Sequence, residues 1–172
     1  MKKGMMLLLG LLVSTLTAGT NIVQNSDFSA SGDQGSPAIW QCHLGKVQIL
    51  PDGIRGQKML EMQTAQYNDQ FKGNLTQFFS QMKNGDYILS GYFSGDASAL
   101  WIVVNAADQS ALKLWLPKHK FQTSDVPGWW RFSSKIHIPQ DAAKGFLVIE
   151  PFSQAPEGKI RFTNILMEYQ ED

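Results

Sequence analysis

The chain has 172 residues, of which 43% are hydrophobic and 17% are charged. This length suits one domain, and the apolar share is too high for an intrinsically disordered chain. The 15 basic and 15 acidic residues balance each other, which argues against a general affinity for nucleic acid or for an anionic membrane. The single cysteine, Cys42, excludes an intrachain disulfide framework.

The N-terminus has the order of charge and hydrophobicity that is typical of a secretory signal peptide. Lys2 and Lys3 precede an apolar run over residues 5–13, and small and polar residues follow. A membrane anchor is the alternative, but a spanning helix needs about 20 apolar residues. We therefore expect a signal peptide at residues 1–18 and one secreted or periplasmic domain at residues 19–172, with no membrane span in the mature chain.

Export would place Cys42 in an oxidising compartment. A buried, inert thiol and an intermolecular disulfide are the two alternatives for it there.

The rest of the chain consists of short β-rich segments separated by Gly, Pro, Asp and Asn, and no segment has a sustained helical period. About nine or ten strands at this spacing predict an all-β domain, either a two-sheet sandwich or a barrel. The clearest predicted strands cover residues 46–50, 57–63, 74–80, 87–94, 99–106, 111–116, 130–138, 146–152 and 159–169.

Two of these strands, at 99–106 and 111–116, are predicted to form a hairpin. Alternation places the aliphatic residues of both strands on one face and Trp101, Asn105 and Trp115 on the other. If Ala106 pairs with Ser110, Trp101 lies directly opposite Trp115. A register shifted by two residues would set the two tryptophans diagonally, so both registers predict neighbouring tryptophans.

The order of short motifs resembles the cellulose- and xylan-type carbohydrate-binding modules. The opening "N-I-V-Q-N-S-D-F" is similar to their "N-L-(V/L)-x-N-G-D-F-E", and a tryptophan, Trp40, follows it as it does in that family. The further matching segments are 56–62, 77–90, 130–139 and 162–166. This resemblance implies a two-sheet antiparallel jelly-roll β-sandwich of the galactose-binding-like group.

The resemblance also bears on a structural calcium. In the family, acidic side chains from the opening and closing motifs commonly help to hold the ion. Here Ser29 replaces the glutamate and Thr163 replaces the first aspartate. Asp27, Asn164 and backbone carbonyls remain as donors, so a calcium site is compatible with the sequence, and no other cofactor is expected.

A sugar site needs exposed aromatic rings beside side-chain amides or carboxylates. Trp101 and Trp115 are the first candidates because both lie opposite an aliphatic stripe, and Asn105 shares the face of Trp101. The resemblance adds Tyr92, at a position that is often aromatic in the family. Trp129 is a further candidate, because its neighbour Trp130 matches a structural tryptophan of the family and adjacent strand residues point to opposite faces.

Two functions follow from these observations. The first is a secreted, non-catalytic module that binds a polysaccharide or other glycan by aromatic stacking. The second is a structural or adhesion domain that binds a protein at the cell surface. We expect no enzyme, since no catalytic motif is present, although Glu61 and Glu150 lie within predicted strands and would be the pair to inspect for glycosidase chemistry.

Overall fold

The computed structural model describes residues 20–32, 38–107 and 109–171, and these residues form thirteen β-strands. The predicted signal peptide lies outside the described residues. In the described part of the chain the helical elements are two short 3-10 turns, at Ile54–Gly56 and Lys118–Lys120. No helix there is long and apolar enough to cross a membrane.

Nine of the thirteen strands coincide with predicted strands, and no end of these nine differs from its predicted position by more than two residues. The other four strands are short. The strands are β1 (Gln41–Leu44), β2 (Lys46–Leu50), β3 (Met59–Gln63), β4 (Ala65–Tyr67), β5 (Gln70–Lys72), β6 (Asn74–Phe79), β7 (Gly85–Gly95), β8 (Ala97–Ala106), β9 (Gln109–Pro117), β10 (Gln122–Thr123), β11 (Trp129–Ile138), β12 (Gly145–Ser153) and β13 (Lys159–Tyr169).

The strands form two antiparallel sheets. The larger sheet has seven strands in the order β1-β6-β12-β8-β9, and β5 and β4 continue it beside the C-terminal end of β12. The smaller sheet has six strands in the order β10-β11-β7-β13-β3-β2. Several connections cross from one sheet to the other, and both sheets contribute to one hydrophobic core. The chain is therefore a β-sandwich, and the predicted fold class is confirmed.

The core lies between the inner faces of the two sheets. Leu100, Ile102 and Val104 of β8 alternate with half-buried outer residues, as the period of two requires. Phe93 of β7 and Phe132 of β11 fill the same interior from the smaller sheet. Each sheet therefore has one buried face and one outer face that is open to ligands.

The β8–β9 hairpin has the predicted register over most of its length. Trp101 is paired with Trp115, and Ile102 with Leu114. The predicted pair of Ala106 and Ser110 is wrong, because the register shifts after Val104 and Ala106 pairs with Gln109 instead. Such a bulge turns the side chains at the end of a strand away from the regular pleat.

The opening motif is structural. The amide of Asn25 donates to the carbonyls of Ala30 and Ala38, and its Oδ1 accepts the N–H of Ala30. Phe28 is fully buried, with its ring centroid 5.8 Å from that of Trp40. These contacts fold the N-terminal segment against the core, and Trp40 itself lies in the core.

Cys42 is half-buried on β1, and its thiol donates to the carbonyl of Leu44 at 3.4 Å. Burial raises the pKa of the Cys42 thiol and outweighs the lowering by this hydrogen bond. The thiol therefore stays protonated more readily than a free cysteine.

A buried carboxylate lies on the outer face of the smaller sheet. Glu61 is 5% exposed, and it accepts hydrogen bonds from Gln48 and Arg161, both at 2.9 Å. Burial alone would raise the pKa of Glu61. The two hydrogen bonds and the charges of Lys159 and Arg161 outweigh it and lower the pKa below its usual value.

We therefore expect Glu61 to stabilise the fold above its unfolded pKa of about 4.3, and this contribution to be lost as the pH falls through the lower, folded-state pKa. The free energy of unfolding, measured by urea titration between pH 2.5 and 7, should depend less steeply on pH in Glu61→Gln than in the wild type. If the free energy of unfolding depends on pH equally in the two proteins, Glu61 does not couple the stability of the fold to pH.

Candidate functional site

The structure brings Trp101 and Trp115 together on the outer face of the larger sheet. Their ring centroids lie 6.2 Å apart, and the ring of Phe152 on β12 lies 5.2 Å from that of Trp115. Trp115 is 48% exposed and Trp101 is half-buried. The three rings form an aromatic cluster that solvent can reach.

The other two aromatic candidates lie elsewhere. Tyr92 of β7 and Trp129 of β11 are half-buried on the outer face of the smaller sheet. That face is on the opposite side of the sandwich from Trp101. The structure therefore does not join the predicted aromatic residues into one site, and Trp101, Trp115 and Asn105 are the three that share a face.

Strand pairing arranges this outer face into rows of side chains that run across the strands. One row, the Trp row, contains Glu150, Trp101 and Trp115 as directly opposed residues, and Asn74 continues it by a side-chain hydrogen bond to Glu150. Two rows away, the Phe row contains Phe78, Phe146, Asn105 and Ser110.

Between the Phe row and the Trp row lies a central row of mostly short side chains. Val148 is opposed by Val103 on one side and by Thr76 on the other, and the exposed Lys113 and Gln41 end the row. Four residues of strand separate the two flanking rows, or about 13 Å. We call the band between these two rows the groove, since larger side chains flank a floor of shorter ones, of which Thr76 is itself only 5% exposed.

Polar side chains are built into the Trp row. Asn74 donates to Oε1 of Glu150 at 2.9 Å, and the Lys72 ammonium lies 3.3 Å from its Oε2. Lys72 also lies 4.9 Å from the centroid of the Tyr67 ring and 5.7 Å from that of Phe152. The side chains of Lys72 and Glu150 are 16% and 19% exposed, so these charges are balanced and largely shielded within the aromatic cluster.

The Phe row supplies a second pair of rings. Phe78 is 56% exposed, and its ring centroid lies 6.1 Å from that of the half-buried Phe146. Asn105 lies opposite Phe146 on β8. The groove therefore has aromatic rings and an amide or a carboxylate on both sides, which are the elements that a sugar site requires.

The two glutamates considered for glycosidase chemistry do not meet. Glu61 lies on the outer face of the smaller sheet and Glu150 on that of the larger sheet. The hydrophobic core separates them, whereas glycosidases hold their two carboxyl groups roughly 5–10 Å apart. This pair therefore cannot cleave a glycosidic bond.

The calcium prediction stays a prediction. The N–H of Ile165 donates to the carbonyl of Ser26, so the segments of Asp27 and Asn164 lie side by side. Against a cation there, the Lys58 ammonium already donates to the carbonyl of Ser29 at 3.0 Å. The described residues also contain no group of three or more His, Cys, Asp or Glu placed to hold a metal.

A rival cavity lies at one edge of the sandwich, with a volume of about 360 Å³. Its lining residues are Gly45, Lys46, Gln63, Thr64, Ala65, Gln66, Pro156 and Glu157. None of them is aromatic, so the cavity offers no ring on which a sugar could stack. The groove on the larger sheet suits a carbohydrate better.

Several residues of the groove were not predicted from the sequence. Their alternation along β6 and β12 was visible, but strand pairing had to be known before they could be placed beside Trp101. These residues are Tyr67, Lys72, Asn74, Thr76, Phe78, Phe146 and Phe152, together with Glu150, which had been considered in another role.

The fold is that of carbohydrate-binding modules. A family 61 carbohydrate-binding module solved with β-1,4-galactotriose has a TM-score of 0.62 and 12% identity, over 88% of this chain and 99% of the module. The CBM22-1 xylan-binding domain from Paenibacillus barcinonensis has a TM-score of 0.56 and 15% identity, over 90% of this chain and 97% of the domain.

The same architecture also occurs in an enzyme. The apo form of a cyclase from Fischerella sp. has a TM-score of 0.64 and 12% identity, over 90% of this chain and 99% of the cyclase. No protein-family model and no curated protein matches the sequence. The comparisons thus define the jelly-roll β-sandwich, and the function has to be argued from the site.

Proposed function

We propose that this protein is a secreted or periplasmic, non-catalytic carbohydrate-binding module. The observation that carries the proposal is the groove on the larger sheet, where the Trp row and the Phe row flank the floor of Val103, Val148 and Thr76. The structural similarity to domains solved with or named for galactotriose and xylan supports it.

Binding in this groove would not require a bond to be made or broken. The apolar faces of a sugar would stack on Trp101 and Trp115, because such rings bury large apolar areas without losing much conformational freedom. The hydroxyl groups at the sugar's edge would meet the amides and the carboxylate. The groove crosses five strands, or roughly 19 Å at the usual strand spacing, which favours a chain of sugars over a single one.

The proposal predicts that Trp101→Ala with Trp115→Ala abolishes most of the affinity for glycans, by roughly 100-fold if each stacking ring contributes about 1–1.5 kcal/mol. The measurement is isothermal titration calorimetry on the mature protein with soluble xylan, β-1,4-galactan and hydroxyethyl cellulose. Tryptophan fluorescence provides a first screen, with calcium and then with a chelator.

The matched control is Tyr92→Ala with Trp129→Ala, which removes two aromatic residues from the opposite face. This control should bind like the wild type. If it loses affinity while the variant of Trp101 and Trp115 keeps it, the site lies on the smaller sheet. A loss of binding in chelator alone would support the calcium at Asp27 and Asn164.

A protein partner at the cell surface is the second candidate, because Tyr67, Phe78 and Trp115 are each about half exposed on the same face. If the wild type binds none of the polysaccharides, this second function is favoured. Capture of one partner from the native envelope, lost in the variant of Trp101 and Trp115, would then support this second function.

A further inference from the structure

The outer face of the smaller sheet has an excess of positive charge. Among its paired strand residues, five side chains are basic and three are acidic: Lys46, Arg131, Lys135, Lys159 and Arg161 against Glu61, Asp86 and Glu168. Such an excess raises the local concentration of anions. The same face also carries Tyr92 and Trp129, two aromatic residues that the groove on the larger sheet does not use.

A depression of about 240 Å³ lies in this face. Strand pairing explains it, because the short side chains of Ser90 and Ser133 oppose each other directly and form its floor. Tyr92 and Arg131, which are also directly opposed, form one wall, and Ile88 borders the other side. Pockets for drug-sized ligands usually have about 300–1,000 Å³, so this serine depression suits a single sugar unit rather than a chain.

The charge of Arg131 is not neutralised by the protein. Arg131 is exposed, and no carboxylate of the described residues lies within ion-pair distance of it. By contrast, the guanidinium of Arg161 is bound to Glu61 and the ammonium of Lys135 to Asp86, both at 2.9 Å. Arg131 therefore brings a free positive charge to the serine depression, and its planar set of donors matches the geometry of a carboxylate.

An exposed arginine alone does not define a ligand, because water satisfies it. Here three kinds of group border one depression: the ring of Tyr92, the hydroxyl groups of Ser90 and Ser133, and the guanidinium of Arg131. A neutral sugar would leave the guanidinium unused, and an inorganic anion would leave the ring unused. A sugar that carries a carboxylate uses all three, by stacking, by hydroxyl hydrogen bonds and by an ion pair.

We infer that the serine depression is a second binding site, for a uronic acid unit of an acidic polysaccharide. The carboxylate of the sugar pairs with Arg131, its ring packs against Tyr92, and its hydroxyl groups meet Ser90 and Ser133. This inference goes beyond the proposed function. The site lies on the opposite side of the sandwich from Trp101 and Trp115, so it does not depend on the groove.

The first experiment is isothermal titration calorimetry of the mature protein with oligosaccharides of polygalacturonate, alginate and hyaluronan, in a buffer that contains a chelator and 150 mM salt. We expect saturable binding to at least one of them. The matched ligand is the same oligosaccharide after its carboxylates have been reduced to alcohols. This reduction should weaken binding by about tenfold or more, because the ion pair with Arg131 is lost.

The matched pair of variants is Arg131→Gln and Lys46→Gln. Both remove one exposed, unpaired positive charge from the same face, but Lys46 lies four strands away, roughly 19 Å, on β2. Arg131→Gln should weaken binding about tenfold and Lys46→Gln by less than twofold. Arg131→Lys keeps the charge without the planar donors and should lie between Arg131→Gln and the wild type. Tyr92→Ala should weaken binding with no change of charge.

The thermal midpoint of unfolding of each variant shows whether it remains folded. Equal weakening by Arg131→Gln and Lys46→Gln would mean that the face attracts polyanions without a site, and it would overturn the inference. So would a wild type that binds none of the three oligosaccharides, or one that binds the reduced ligand equally well. Trp101→Ala with Trp115→Ala should retain the acidic ligand. Loss of that ligand there would place it in the groove instead, whereas failure of neutral polysaccharides alone would overturn only the proposed function.

Discussion

Replacing Gln77 by leucine is expected to lower the free energy of unfolding by about 2–4 kcal/mol. Gln77 lies on the inner side of β6 and is fully buried, although a glutamine is costly to bury. Its amide donates to the carbonyl of Gln24 at 2.8 Å and its Oε1 accepts the N–H of Gln24 at 2.9 Å. Leucine has a similar volume, so the loss would report these two hydrogen bonds rather than a cavity.

The measurement is urea-induced unfolding followed by tryptophan fluorescence. The amide of Gln24 should also lose its protection from hydrogen exchange in the variant, because the N-terminal segment would no longer be fastened to the larger sheet. Gln122→Leu, at an exposed position on β10, is the matched control and should stay within about 0.5 kcal/mol of the wild type. Equal stability of Gln77→Leu and the wild type would contradict this role.

The alternation of apolar and polar residues was sufficient to predict the long strands. β2 was predicted at its observed bounds, and β8, β11 and β12 differ from their predictions by one or two residues at an end. Strands such as Leu100–Val104 bury every second residue, so their period of two is strong. The four missed strands have two to four residues and lie at sheet edges or beside the Gly73 interruption, where burial leaves no clear period.

The hairpin register could be predicted because its two strands are adjacent in sequence and a short turn restricts the pairing. This placed Trp101 opposite Trp115 correctly. It failed at Ala106, because a bulge is a local change in strand pairing that the side-chain pattern does not record. The same bulge sets the pairing of Asn105 with Ser110, which the sequence could not show.

The rest of the groove depends on contacts between strands that are distant in sequence. β6 and β12 are about 70 residues apart along the chain, and β12 joins β6 to β8. Alternation shows that Phe78 and Phe146 leave the core, but it does not show that they lie beside each other or share a face with Trp101. From the sequence alone, aromatic residues on either sheet are therefore equally good candidates, and Tyr92 and Trp129 cannot be separated from Trp115.

The second large effect on stability is expected at the ion pair of Lys72 and Glu150, beside the aromatic cluster. Glu150→Leu alone should lower the free energy of unfolding by about 2–4 kcal/mol, because it leaves the Lys72 ammonium without its counter-ion in a largely buried place. Lys72→Met alone should cost a similar amount by leaving the Glu150 carboxylate unpaired. Urea-induced unfolding of each single variant measures both losses.

The double variant, Lys72→Met with Glu150→Leu, should recover much of this stability, since a well-packed apolar pair often replaces a buried ion pair at little cost. If the ion pair mainly stabilises the fold, the double variant should be much less stable than the wild type. If the double variant is as stable as the wild type but binds glycans more weakly, the ion pair contributes to ligand binding, with Glu150 holding Asn74 and ordering the polar side of the groove. We expect the second result, because charges within an aromatic face suit a ligand that is itself half apolar and half hydroxyl.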